Sequence, residues 1–148
     1  MPDRLTIDKS IAVVGVSKRN SSFGNTAYRT LKRNKYRVYA VSSSRAEFEG
    51  DQCYESLLDL PDRPDCVLVS VKPDRATEVV EQAGQIGAGM LWFQQGADFS
   101  EAIEKASAKG LPWVDGKCIL MYTEPVRGIH RFHRFVVNLF SHPQDSGL

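Results

Sequence analysis

The residues best suited to chemistry in this chain lie in one short polar segment, from Gly15 to Gly24 (Gly-Val-Ser-Lys-Arg-Asn-Ser-Ser-Phe-Gly). It follows the apolar run Ile11-Ala-Val-Val14 and precedes a stretch of helical pattern. Glycine allows close backbone approach, and loop N–H groups together with the positive end of a following helix suit a phosphate or pyrophosphate. Lys18 and Arg19 add positive charge, while Ser17 and Ser22 add hydroxyls. The competing reading is a hydrophilic loop without a ligand, because loops are polar in general. The spacing is not that of the dinucleotide fingerprint G-x-G-x-x-G. Val16 and Ser17 follow Gly15, and the next glycine is Gly24. The segment therefore points to a nucleotide site other than the standard NAD type.

A second segment sharpens this. After the next apolar run, Tyr36 to Val41, come Ser42-Ser43-Ser44-Arg45, and the first acid is Glu47. An NAD site places a carboxylate here to accept from the ribose hydroxyls. Hydroxyls and a guanidinium suit a ribose phosphate instead. NADP and coenzyme A both carry one. Taken alone, the loop also fits a turn with an exposed Arg. Lys72-Pro73-Asp74-Arg75 follows the third apolar run, and Pro73 offers a flat apolar edge to a base or simply starts a helix.

These segments need a scaffold that gathers them. Apolar runs at 11–15, 36–41, 65–71, 90–93 and 111–114 read as five strands. Helical patterns over 25–34, 73–86 and about 98–109 separate them, and 54–60 reads as a short helix stopped by Pro61. Strands alternating with helices give right-handed βαβ units and a parallel, doubly wound sheet of Rossmann type. Strands apolar on both faces agree with that. In such a sheet, ligands bind outside the carboxyl ends of the strands, which collects loops 15–24, 42–46, 72–75, 94–97 and 115–118 around one crevice.

The last third differs. Residues 128–140 carry apolar side chains at 129, 132, 135, 136, 139 and 140, an amphipathic helical stripe. It predicts a C-terminal helix that covers the domain or joins two copies as a homodimer. At 148 residues the chain suits one domain, 1–148, with a core of about 8–122 and a helical extension of about 126–140. The net charge of +1 gives no global pull toward nucleic acid. No apolar run reaches the ~20 residues that span a bilayer. Cys53, Cys66 and Cys118 fit neither a zinc nor a disulfide pattern, which predicts a reducing, cytoplasmic setting.

The ordered segments Val-Val-Gly15-Val-Ser17, Val41-Ser42, Gly50-Asp-Gln-Cys-Tyr54-Glu-Ser-Leu57, Asp65-Cys-Val-Leu-Val, Trp92-Phe-Gln-Gln-Gly96 and Asp115-Gly-Lys-Cys118 carry a family resemblance over roughly residues 8–122. The chain resembles the small single-domain CoA-binding proteins. These resemble the CoA-binding domain of the succinyl-CoA ligase α subunit and of ADP-forming acyl-CoA synthetases. The resemblance implies that CoA or an acyl-CoA lies across the carboxyl edge of the sheet. The binding set it implies begins with Gly15, Val16, Ser17, Lys18, Ser22, Phe23 and Gly24. Ser42, Arg45, Lys72 and Pro73 extend that set, with Gly96 and Cys118 nearer the pantetheine end. Small members commonly read Val-Asn-Pro after the second strand, where this chain has Val41-Ser-Ser.

No catalytic constellation or metal motif is legible. His130 and His133 could share a helical face, but no other ligand accompanies them, and surface flanks of the apolar stripe explain them. Arg127, Arg131 and Arg134 read first as a solvated face. Cys118, next to Lys117, is either a plain buried thiol or a partner for a mixed disulfide with CoA. The reading is a stand-alone, non-catalytic CoA-binding module of the sensor or regulator kind, with two alternatives. One is an NADP-dependent oxidoreductase domain, and the other is an interaction module that uses helix 128–140.

Overall fold

The computed structural model describes residues 5, 8–16, 22–43 and 46–123. The helix expected at 128–140, with His130 and His133, lies outside the described residues.

Among the described residues, seven strands form one sheet and three helices cover its two faces. The strands are β1 (Ser10–Val14), β2 (Arg37–Val41), β3 (Glu47–Phe48), β4 (Asp51–Tyr54), β5 (Cys66–Val69), β6 (Leu91–Gln94) and β7 (Trp113–Lys117). The helices are α1 (Phe23–Arg33), α2 (Pro73–Ile86) and α3 (Ser100–Ala108). Short 3-10 turns lie at Leu57–Asp59 and Ile119–Met121. The sheet order is β3-β4-β2-β1-β5-β6-β7. All neighbours run parallel except the β3–β4 pair. The chain winds outward from β1 through β2, then returns to place β5 on the other side of β1. The order therefore reverses between β1 and β5.

The sheet corrects the expected five strands to seven among the described residues. β3 has two residues, and β4 reads Asp-Gln-Cys-Tyr, so neither shows the apolar run that marks a buried strand. They join through Glu49 and Gly50, both at positive φ (53° and 80°), as a two-residue hairpin turn requires. β4 then pairs in parallel with β2, Ala40 facing Cys53 and Val41 facing Tyr54. The expected helix at 54–60 is a single 3-10 turn, capped by the Ser56 hydroxyl accepting from Leu58 N.

Strand alternation sends two sets of side chains to opposite faces. Ile11, Val13, Leu68 and Trp92 pack with Tyr28 and Leu31 of α1 and with Ile119 and Leu120. Ala12, Val14, Val67, Val69 and Phe93 pack with Val79 and Val80 of α2 and Ala102 and Ala106 of α3. Every residue of β1, β5 and β6 is buried. At 25 cal/mol per Å² or so, each large apolar side chain buried there contributes about 1.5–3 kcal/mol. At the opposite edge from the cleft, the Asp65 carboxylate accepts from Ser10 N (2.8 Å), while Asp65 N donates to the Ser10 hydroxyl (3.0 Å). That exchange sets the register of β1 against β5. Among the described residues, no helix is long and apolar enough to cross a membrane.

The β3–β4 hairpin is fastened to α1 by polar contacts. The Tyr28 hydroxyl donates to Asp51 at 2.6 Å, and Lys32 pairs with the same carboxylate oxygen. Arg29 pairs with Glu49 at 2.9 Å and stacks over Phe48. Burial, then the Asp51 carboxylate, push the Tyr28 hydroxyl far above its ordinary titration range. Lys32, followed by Tyr28, holds the Asp51 carboxyl below the usual carboxylate value. A depressed carboxyl stabilises the fold above its unfolded value and loses that contribution as pH falls through the folded value. Asp51→Asn is therefore expected to lower stability at neutral pH and to flatten the acid limb below about pH 4, so that the variant and parent curves converge in acid. Denaturant midpoints measured against pH check this. An acid limb identical to the parent's would contradict it.

Candidate functional site

The cleft is built on a backbone contact. Gly15 follows β1 at φ 127°, and a Cβ placed there would lie 2.1 Å from the carbonyl oxygen of Ser70, the residue after β5. No side chain fits that gap. Gly24, in the first turn of α1, presses on the same point from the other side, where a Cβ would lie 2.5 Å from the Gly15 carbonyl oxygen. Two glycines thus let α1 begin directly against the end of β1. The Ser22 hydroxyl caps α1 by accepting from Asn25 N (3.3 Å) and donates to the Gly15 carbonyl (3.4 Å). The N-terminus of α1, with its partial positive charge, is brought to the switch point of the sheet.

An open cleft of about 1140 Å³ lies over these strand ends. Of the residues expected from sequence, it gathers Gly15, Val16, Ser22, Phe23, Ser42, Lys72, Pro73 and Gly96 along its walls. Gly24 is buried behind Gly15 rather than on the wall. Ser17, Lys18 and Arg45 lie outside the described residues. Cys118 follows β7 as expected but does not line the cleft. It is 2% exposed and packs in the α1-side core with Trp92 and Ile119.

The structure also brings in side chains that the sequence did not single out. Glu55, Ser56 and Asp59 reach the cleft because β4 runs parallel beside β2 and releases its following turn at the same edge. The motif Tyr54-Glu55-Ser56 was visible, but its place in the sheet required recognising a polar strand. Arg75, Glu78 and Gln82 come from the first turns of α2. Arg75 donates to the Ser43 hydroxyl at 3.2 Å, which ties α2 to the loop after β2. Lys72 is the N-cap residue of α2, which sets its ammonium at the mouth of the cleft beside Pro73. Ser70, Gln94 and Phe99 complete the inner wall.

The electrostatics divide the cleft. The cations Lys72 and Arg75 and the α1 N-terminus suit anionic groups, whereas Glu55, Asp59 and Glu78 suit groups that donate hydrogen bonds. No cluster of His, Cys, Asp and Glu among the described residues could hold a metal ion. Burial pushes the Cys118 thiol above its ordinary value, against weaker opposing bonds from the backbone of Leu120 and the amide of Gln94. Cys66, fully buried, is pushed up still further.

Comparison with known proteins places these features. Residues 9–124 match the sequence pattern described as the CoA binding domain. An ADP-forming acetate–CoA ligase of Archaeoglobus fulgidus is 30% identical over 129 residues, 80% of this chain and 19% of the ligase. The chain thus spans only a small part of the acyl-CoA ligases it matches. The uncharacterized protein YneT of Bacillus subtilis is 27% identical, the match covering 75% of this chain and 82% of YneT. A solved structure, a hypothetical protein of Pyrococcus horikoshii OT3, superposes with a TM-score of 0.71 at 38% identity, covering 76% of this chain and 79% of the other.

Raised thiol values mean little thiolate at neutral pH, and thiolate is the reactive form. Cys66 and Cys118 are expected to resist iodoacetamide in the folded protein at pH 7.5 and to react promptly in denaturant. Peptide mass spectrometry reads both states. Fast modification of Cys118 in the native protein would contradict the buried placement.

Proposed function

The chain belongs to the CoA binding domain family, and from that premise we propose that it holds coenzyme A or an acyl-CoA as a binding module. The observation that carries this is the junction at Gly15. The N-terminus of α1 abuts the end of β1 where the strand order reverses, with a cleft open above it. That arrangement supplies backbone N–H groups and a dipole for a pyrophosphate.

In this reading the pyrophosphate lies over Gly15, Val16 and Ser22. Lys18, from the same loop, adds charge in keeping with the sequence. The ribose phosphate lies toward Ser42, Ser43 and Arg75, and the sequence adds the guanidinium of Arg45 to the same loop. The guanidinium of Arg75, already oriented by Ser43, supports that side. Pro73 offers an apolar edge to the adenine, and Glu55 and Asp59 accept from the ribose hydroxyl or the adenine amine. The pantetheine arm then runs across the ends of β5 and β6 toward Gly96. The role is retention and presentation of the ligand, as in a sensor or regulator. Cys53, Cys66 and Cys118 are buried thiols outside any disulfide, which supports a reducing, cytoplasmic setting.

Calorimetry with CoA, dephospho-CoA, NADP and NAD tests the proposal. CoA is expected to bind in the micromolar range and dephospho-CoA about tenfold more weakly, as loss of a charge-assisted contact predicts. Arg75→Glu is expected to weaken CoA while leaving dephospho-CoA nearly unchanged. Binding of NADP without CoA would move the site to a redox cofactor. Silence toward every nucleotide would leave the cleft without the ligand proposed for it.

A further inference from the structure

The chemistry of the cleft leaves the C-terminal apolar stripe unused. Between Glu124 and Asp145 the sequence holds no acid, while Arg127, Arg131 and Arg134 are spaced through the apolar residues. On a helix of 3.6 residues per turn, Ile129, Phe132, Val136, Leu139 and Phe140 share one side, which Phe135 widens. The three arginines share the opposite side with His130, and His133 falls at the boundary. An aromatic, apolar side backed by arginine is the pattern of a helix that lies in a membrane interface. A helix that only covers its own domain meets water on its polar side, where charges of both signs serve equally well.

The fold delivers this segment to a cationic end of the molecule. Thr123, the last described residue, pairs in parallel with Leu5, and Leu5 N donates to the Tyr122 carbonyl at 2.6 Å. The Leu5 carbonyl in turn accepts from the Tyr36 hydroxyl. Tyr36 stands in the passage from α1 into β2, on the sheet edge opposite the cleft. Arg33, Lys35 and Arg37 are exposed around it, as is Lys9 just before β1. None of these four makes an ion pair among the described residues. Of the acids on this edge, Glu49 and Asp51 pair with Arg29 and Lys32, Asp65 bonds Ser10, and Asp62 accepts from Tyr39. Asp8 stands beside Lys9. A place in the last turn of α1 explains Arg33 through the helix dipole, but it does not explain Lys35, Arg37 or Lys9.

We propose that residues 127–140 dock on an anionic lipid surface as an in-plane amphipathic helix, with Arg33, Lys35 and Arg37 adding a second row of charge. This goes beyond the CoA reading and does not depend on it. The apolar side enters the boundary of the acyl chains, and the arginines meet lipid phosphates. Arg127 lies four residues beyond Thr123, so the stripe begins within about 14 Å of the cationic edge's Leu5–Thr123 pair. Attraction to a negative leaflet falls off within a Debye length, so cations count only when the fold brings them close to it. The cleft opens on the opposite edge of the sheet, so a molecule seated this way keeps its ligand site open to solution.

Co-sedimentation of the full chain with two sets of vesicles tests this. One set is phosphatidylcholine alone, and the other mixes it with phosphatidylglycerol. The parent is expected to bind the anionic set at least about tenfold more tightly and to be released as salt rises. Phe132→Ser is expected to weaken that binding about tenfold. Arg131→Gln and Lys35→Gln are each expected to weaken it about fivefold. Melting temperature without vesicles is expected to stay at the parent's value in all three variants. A parent that ignores the anionic vesicles overturns the proposal, and so does equal binding to both sets. If Phe132→Ser lowers the melting temperature, the stripe covers its own domain. If it halves the mass read by light scattering, the stripe joins two copies. Either result overturns the lipid proposal. Calorimetry with CoA on the parent and on Phe132→Ser is expected to agree, which keeps a failure here separate from a failure of the ligand reading.

Discussion

The cleft depends on a meeting of three backbone segments that leaves no room for a side chain. Gly15 lies against the Ser70 carbonyl of the β5 exit, and Gly24 lies against the Gly15 carbonyl. Because both positions lack a Cβ, the first turn of α1 can sit on the end of β1 rather than a side chain's width away. The start of that turn is thereby set at the strand ends, where the ladder hydrogen bonds have stopped. A helix start set farther back would carry the same dipole but deliver it to protein atoms instead of to a ligand. Ser22 completes the junction, since its one hydroxyl caps the helix and reaches the Gly15 carbonyl.

The rest of the fold keeps those segments in place. Parallel strands buried on both faces fix the level at which β1 and β5 end, and the Ser10–Asp65 exchange fixes their register at the far edge. The β3–β4 hairpin extends the sheet beyond β2 and carries Glu55 and Asp59 to the cleft. Its contacts with Tyr28, Arg29 and Lys32 tie it to the outer face of the same helix whose N-terminus abuts the end of β1. On the other side, a glycine bulge in β7 sets Gln94 at the inner wall. One helix and two sheet irregularities therefore shape the three parts of the cleft.

Much of this was legible in the residues. β1, β2, β5 and β6 announced themselves through apolar runs, and α2 through Pro73 at its start and Gly87 at its end. Gly15 and Gly24 were legible as a loop that lets a backbone come close, although only the packed structure shows that Ser70 is what comes close. The hairpin was hidden because β3 and β4 hold their places by pairing and by polar contacts rather than by an apolar pattern. Gln94 read as part of a polar turn, because a bulge in the neighbouring strand leaves no mark on β6. Cys118 fell at the right edge of the sheet, but the local turn sends its side chain into the core. Sequence periodicity reports which residues are buried and in what element. It is silent on contacts between residues distant in the chain, and those contacts shape this cleft.

The most direct test of the Gly15 junction as a ligand cradle is an amide NMR titration with CoA on isotope-labelled protein. The account predicts that the largest shifts fall on Gly15, Val16 and the first-turn amides Phe23 to Asn25, with smaller shifts at Gln95 and Gly96. Shifts confined to other surfaces, such as the exposed edge around Trp113, with the Gly15 and α1 amides unmoved, would contradict it.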